Sequence, residues 1–129
     1  MSEKLSSTTN ALNWFEIPAT DITRAKKFYE TIFGIEMQTI EMMGMQMAMF
    51  PSQSPHVGGA LIVSENHKPS AEGSIIYLNA NPDLQLVLDR MESAGGKITM
   101  PKTLIDADTG YMAFFMDTEG NLVGLHSGQ

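Results

Sequence analysis

The sequence predicts an α+β fold of two βαβββ modules. Three observations predict it: strand-like alternation gives way twice to a helix-period apolar stripe, each stripe closes on glycine, and the stripes align position by position. Asp21 corresponds to Asp83, Ile22 to Leu84, Ala25 to Val87, Tyr29 to Met91, Ile32 to Ala94 and Gly34 to Gly96, a constant spacing of 62 residues. A repeat of that length is a whole supersecondary unit, too long for a hairpin and too few in copies for a solenoid.

Residues 11–18 carry Leu12, Trp14, Phe15 and Ile17 and stop at proline, which suits a short strand. Asp21 is the cap signal for a helix whose stripe is Ile22, Ala25, Phe28, Tyr29, Ile32 and Phe33, ended by Gly34. Strands over 35–41 and 45–50 flank Met42-Met43-Gly44, where glycine supplies the positive φ of a tight turn. Gly58 to Val63 completes the first unit. After a polar connector, 64–73, the pattern restarts with a strand over 74–80. Asn81 as N-cap with Pro82 at the first helical position opens a second helix, with Leu84, Val87, Leu88 and Met91 buried and Gly95-Gly96 at its end. Residues 97–100 and 102–106 read as strands on either side of Pro101, followed by 111–116, a glycine-bearing loop, and 122–126.

At 129 residues the chain is sized for one domain: 11–127, with module one at 11–63 and module two at 74–127, and residues 1–10 frayed. A composition of 43% hydrophobic and 18% charged residues is that of a water-soluble globular protein, with no run long enough to span a bilayer. A net charge of −7 with scattered Lys and Arg excludes a phosphate backbone as the expected partner. The absence of cysteine removes disulfides, thiolate metal sites and cysteine nucleophiles. The polar first ten residues lack the basic and apolar regions of a secretion signal, so a cytoplasmic protein is expected.

The run from Trp14 to Ile22, continued by Ala25, Phe28-Tyr29 and Phe33-Gly34, resembles the opening of vicinal oxygen chelate proteins, the glyoxalase, bleomycin-resistance and dioxygenase group. The run from Phe114 to Ser127 resembles their closing hairpin, and Gly58-Gly59-Ala60-Leu61 and Ala94-Gly95-Gly96-Lys97 fit between. The resemblance implies the paired-module fold with curled sheets forming a cup, but isomerases, epimerases, dioxygenases, thiol transferases and drug-sequestering proteins share that scaffold. It also implies that metal-dependent members bind a divalent ion through His, Gln or Glu on the first, fourth, fifth and eighth strands. Those positions fall here on Trp14, Ala60, Ile75 and Gly124, none of which coordinates through its side chain. A register slip of one substitutes only Phe15, Gly59 or Leu61, Ile76, and Val123 or Leu125. The usual metal is therefore expected to be absent, and no cofactor is expected.

Strand alternation assigns Phe15, Ile17, Ile76, Leu78, Val123 and Leu125 to the helix-covered face. The cup face then carries Trp14, Glu16, Ile75, Tyr77, Asn79, Leu122, Gly124 and His126. Glu16 is a candidate acid or base, or else a solvated carboxylate at a strand end. His126 is a candidate proton shuttle or ligand-orienting group, or a half-exposed residue near the chain end. Tyr77 is a candidate hydroxyl donor or a packing aromatic. Trp14, Asn79, Ile75 and Leu122 are candidate ligand contacts. His56 and His67, on a loop and in the connector, read as surface residues, and the three histidines form no local metal motif. Met45, Met47 and Met49 share one face: an adaptable apolar lining if that face is the cup, or else core filling or a dimer contact.

The expected protein is a homodimer that binds a small organic molecule, with metal-independent lyase or isomerase chemistry related to lactoylglutathione lyase. The alternative is non-catalytic sequestration of the bleomycin-resistance type, toward which the acidic balance and Trp14 lean.

Overall fold

The computed structural model describes residues 3–129; of the segment expected to fray, Met1 and Ser2 lie outside the described residues. The elements are β1 (Trp14–Pro18), α1 (Ile22–Phe33), β2 (Gln38–Met42), β3 (Met45–Met49), β4 (Gly58–Val63), β5 (Tyr77–Asn79), α2 (Leu84–Leu88), β6 (Lys97–Asp106), β7 (Gly110–Met116) and β8 (Leu122–Ser127). They build two four-stranded sheets, ordered β1-β4-β3-β2 and β5-β8-β7-β6. In each sheet the first and last strands of the module pair in parallel and the others antiparallel, so the duplication read from the helix stripes extends to strand connectivity. The sheets do not close on one another and leave a curled cup. Among the described residues no helix is long and apolar enough to cross a membrane.

α1 forms as its sequence dictates. Asp21 sits in extended backbone and its side chain accepts the Arg24 N–H at 3.1 Å, satisfying a donor the first turn leaves unpaired. At the other end Gly34 adopts φ 63°, and the Gly34 and Ile35 N–H groups both close on the Glu30 carbonyl. The stripe Ala25, Phe28, Tyr29 and Ile32 is buried.

The second helix departs from expectation at both ends. Its N-cap is Asp83, which accepts the Gln85 N–H at 2.9 Å, whereas the Asn81 side-chain oxygen is already used by the Gly128 N–H at 2.8 Å. Regular helix stops at Leu88; tighter three-residue turns then carry the chain to Gly96, keeping Met91 fully buried.

Strand boundaries also shift. β1 starts at Trp14 rather than residue 11, and β5 is only three residues long. β2 begins at Gln38 because the Met37 N–H is taken by the Glu30 carboxylate at 2.9 Å. β6 runs unbroken through Pro101, its pairing with β7 slipping between Met100 and Thr103; on an edge strand proline's missing N–H leaves no ladder bond unmade. The β2–β3 turn uses positive φ at Met43 as well as Gly44, 52° and 75°, the two-residue geometry that matches strand twist.

Both modules share one core. Phe28 and Tyr29 of α1 pack on Phe115 of β7, ring centroids 5.9 and 6.2 Å apart, so the first helix is buried against the second sheet as well as its own. Ile17, Ala48 and Leu61 of one sheet and Leu78, Ala113 and Leu125 of the other face this core. The opposite faces line the cup.

Candidate functional site

On the first sheet, alternation places Trp14 and Glu16 on the cup face, with Glu16 in register beside Ala60 of β4, whose methyl leaves room for the carboxylate. Glu16 Oε1 lies 2.7 Å from His67 Nε2, and the Trp14 indole N–H donates to Oε2 at 3.3 Å. His67 Nδ1 lies 2.6 Å from the Ser64 hydroxyl, which also accepts the Asn66 N–H at 3.2 Å. A carboxylate only accepts, so neutral His67 carries its proton on Nε2 and takes the Ser64 hydroxyl hydrogen at Nδ1; doubly protonated His67 donates on both sides. The Glu16 and His67 side chains keep 32% and 26% of their surface exposed, enough for a ligand to reach the pair. The cluster can hold a proton and hand it on.

His67 is thus not the free surface residue its connector position suggests. It comes from 51 positions away, and no local pattern in the connector announces it.

On the second sheet the candidates are held differently. Tyr77 lies across Gly124, where a Cβ would come within 2.6 Å of its ring, and meets Phe114 at 5.7 Å. His126 Nε2 donates to the Thr109 carbonyl at 2.7 Å, which fixes its tautomer and ties it to the β6–β7 turn. Asn79 beside it accepts from the Asn81 backbone and side chain, each at 2.9 Å. Ile75 precedes β5 in irregular chain, 39% exposed. Leu122 lines a small cavity of about 130 Å³ together with Glu16, Ser70 and Ile76. The structure therefore brings Trp14, Glu16 and His67 into one bonded cluster with Leu122 close by. Tyr77, Asn79 and His126 form a second patch that makes no hydrogen bond to the first among the described residues.

Met45, Met47 and Met49 fall on the cup side, not between sheet and helix. Met47 pairs with Ile62 and Met49 with Ala60, and these four with Met45 form an apolar cluster separate from the main core. Met37, just before β2, joins the main core.

The positions at which the resemblance implies a divalent ion, Trp14, Ala60, Ile75 and Gly124, present indole, methyl, sec-butyl and hydrogen, and Ile75 falls before β5 rather than on it. A longer side chain at Gly124 would overlap the Tyr77 ring. Among the described residues no three His, Asp or Glu side chains converge. This donor set does not fit such an ion.

Comparison with known proteins accords with this architecture. The model of the Glyoxalase/Bleomycin resistance protein/Dioxygenase superfamily matches residues 11–125. The chain belongs to that superfamily. A glyoxylase-like domain-containing protein of Didymella fabae is 33% identical over 116 residues, covering 85% of this chain and 88% of the relative. A protein of Mycobacterium bovis, CFP32, is 32% identical over 117 residues, and the chain spans only 44% of its length. Among solved structures, glyoxalase I from Zea mays aligns with a TM-score of 0.66 at 18% identity, over 89% of this chain and 43% of that one. A glyoxalase/bleomycin resistance protein from Albidiferax ferrireducens aligns at 0.67 and 17% identity, over 92% and 98%. At those identities the structural likeness shows the glyoxalase-superfamily fold alone.

Proposed function

We propose that this glyoxalase-superfamily chain binds a small organic molecule in its cup and moves a proton on it without a divalent ion, in lyase or isomerase chemistry. The observation that carries the reading is the Glu16 carboxylate held between Trp14 and His67 on the cup face. Glu16 and His67 are the proton-handling pair. Trp14 is a contact for the ligand body from the first sheet, and Leu122, Ile75, Tyr77, Asn79 and His126 are contacts from the second module. The methionine face beside Glu16 favours a ligand with an apolar portion.

A second reading, stoichiometric sequestration as in bleomycin resistance, is favoured by the net charge of −7 and the indole beside a carboxylate, which together suit a cationic or aromatic ligand. Titrating Trp14 fluorescence against a compound panel while assaying product separates the two. Saturable quenching with turnover that Glu16→Gln abolishes supports catalysis. Quenching without product supports sequestration, and turnover unaffected by Glu16→Gln removes the proton role.

The metal-free part of the proposal is tested by elemental analysis after purification: a stoichiometric divalent ion lost with Glu16→Gln overturns it. A homodimer in the cytoplasm completes the proposal. Its support is the wholly exposed edge strand β2, with Ile40 and Met42 on it, since uncovered edges invite pairing; a monomeric mass by light scattering counts against it.

A further inference from the structure

We propose a second ligand site, apart from the Glu16–His67 cluster: a slot in the seam between the two sheets that takes a neutral aryl compound bearing one hydrogen-bond acceptor, such as an aryl ketone. The seam exists because β1 bonds only to β4 and β5 only to β8, leaving no ladder between the sheets. A cavity of about 370 Å³ opens there, walled by Phe15 from β1, Phe33 and Ile35 at the end of α1, Phe50 and Val57 from the β3–β4 loop, and Leu78 from β5. A neighbouring cavity of about 410 Å³ shares Phe15, Val57, Leu78 and Asn79 and also meets Tyr77, so the two are continuous along the seam and reach the edge of the Tyr77–Asn79 patch. Each is within the span of small-molecule pockets, roughly 300–1,000 Å³.

Phe15 and Leu78 have the parity of the helix-covered face and pack on the main core, whereas Glu16 has the opposite parity. The slot and the Glu16–His67 cluster therefore lie on opposite faces of β1.

Its chemistry selects the ligand. In a chain with 15 Asp and Glu and 8 Lys and Arg, no carboxylate, amine, guanidinium or imidazole lines either cavity. An ion entering would lose hydration with no counter-charge to replace it. Phe15 and Phe50 meet in a tilted pair 5.5 Å apart, and the Phe15 ring lies over Gly59, where a Cβ would overlap it; the aromatic wall is thereby set before a ligand arrives. Of the two amides that line the first cavity, the Asn81 oxygen is used by Gly128 and the Asn79 oxygen by Asn81. The Asn79 Nδ2 donor has no partner among the described residues, which leaves a hydrogen for a ligand oxygen.

The test uses the full chain, acetophenone as probe and benzoate as its charged counterpart, read by methyl NMR. Acetophenone is expected to shift the methyls of Ile35, Val57 and Leu78 saturably and to leave Ile62 and Met47 unmoved, with benzoate weaker by about tenfold or more. Val57→Trp fills the slot from the loop and Ile35→Trp from the helix end; each is expected to cut acetophenone affinity about tenfold while the rest of the spectrum stays native. The proposal is overturned by any of four results: no saturable shift, shifts confined to Ile62 and Met47, benzoate binding as tightly, or a slot that the folded tryptophan variant leaves open to acetophenone. Slot signals that move with protein concentration alone would assign it to a second copy of the chain instead.

Discussion

Arg24 Nε donates to Glu119 Oε2 at 2.7 Å across 95 positions of sequence, and this contact ties the start of α1 to the β7–β8 hairpin of the other module. The Glu119 side chain, 1% exposed, also accepts the backbone N–H groups of Thr20 and Asp21 at 2.9 and 3.0 Å and the Thr118 hydroxyl. One carboxylate thus caps the helix of module one from module two. Burial on its own would raise the Glu119 pKa, but Arg24, the two backbone donors and Thr118 outweigh it and hold the group at about 2. A folded value below the ordinary 4.5 stabilises the fold fully above pH 4.5, and the contribution fades as pH falls from there toward 2. Its ceiling is about 3 kcal/mol. Denaturant melts at pH 7 and pH 3 are expected to show a loss of stability in the native chain that is much smaller in Glu119→Gln, which starts roughly 1–3 kcal/mol less stable.

Tyr29 forms the second link between modules. Its hydroxyl donates to Asp117 at 2.7 Å inside the core, while Asp117 also receives the backbone N–H groups of Glu119 and Asn121. Burial, then the Asp117 charge, push the Tyr29 pKa well above its ordinary value of 10. A raised folded value favours the fold below pH 10 and withdraws that support as pH climbs beyond it. In alkaline spectrophotometric titration one tyrosine should ionise only as the chain unfolds. Tyr29→Phe should remove that coupled step and cost roughly 1–2 kcal/mol.

Gly124 gives Tyr77 its place. Gly124→Ala puts a methyl into the Tyr77 ring, so a loss of roughly 1–3 kcal/mol in thermal melts is expected. Adding Tyr77→Ala should relieve most of it, leaving a coupling of about 1 kcal/mol or more in the double-mutant cycle. Additive effects would show that the ring does not depend on this glycine.

His67→Ala should release the connector from the cup face. Cleavage after Glu65 and Glu72 by a glutamate-specific protease is expected to speed up several-fold at unchanged global stability, because the connector's tie to Glu16 is gone. Trp14 emission should shift as Glu16 loses one of its two partners. Equal cleavage rates would mean that the connector is held by its Ser70–Asn121 bond alone.

Most of the fold was legible in the sequence because its signals are local: Asp21 and Gly34 bracket α1 within a few residues of the groups they satisfy, and period-two alternation sorted Phe15 from Glu16 and Leu78 from Tyr77 correctly. Local signals failed where a distant partner claimed a group first. Asn81 reads as a cap until Gly128 takes its oxygen, and Ile35 to Met37 read as strand until Glu30 takes an N–H.

The candidate site divides the same way. Trp14 and Glu16 follow from their strand, and His126 and Tyr77 from theirs, because side-chain direction is a property of each strand alone. The pairing of Glu16 with His67, the anchoring of His126 on Thr109 and the closure of Arg24 on Glu119 were decided only by tertiary structure. Each depends on where the register of one sheet sets a residue against a loop or helix remote in sequence, and no local pattern records that distance.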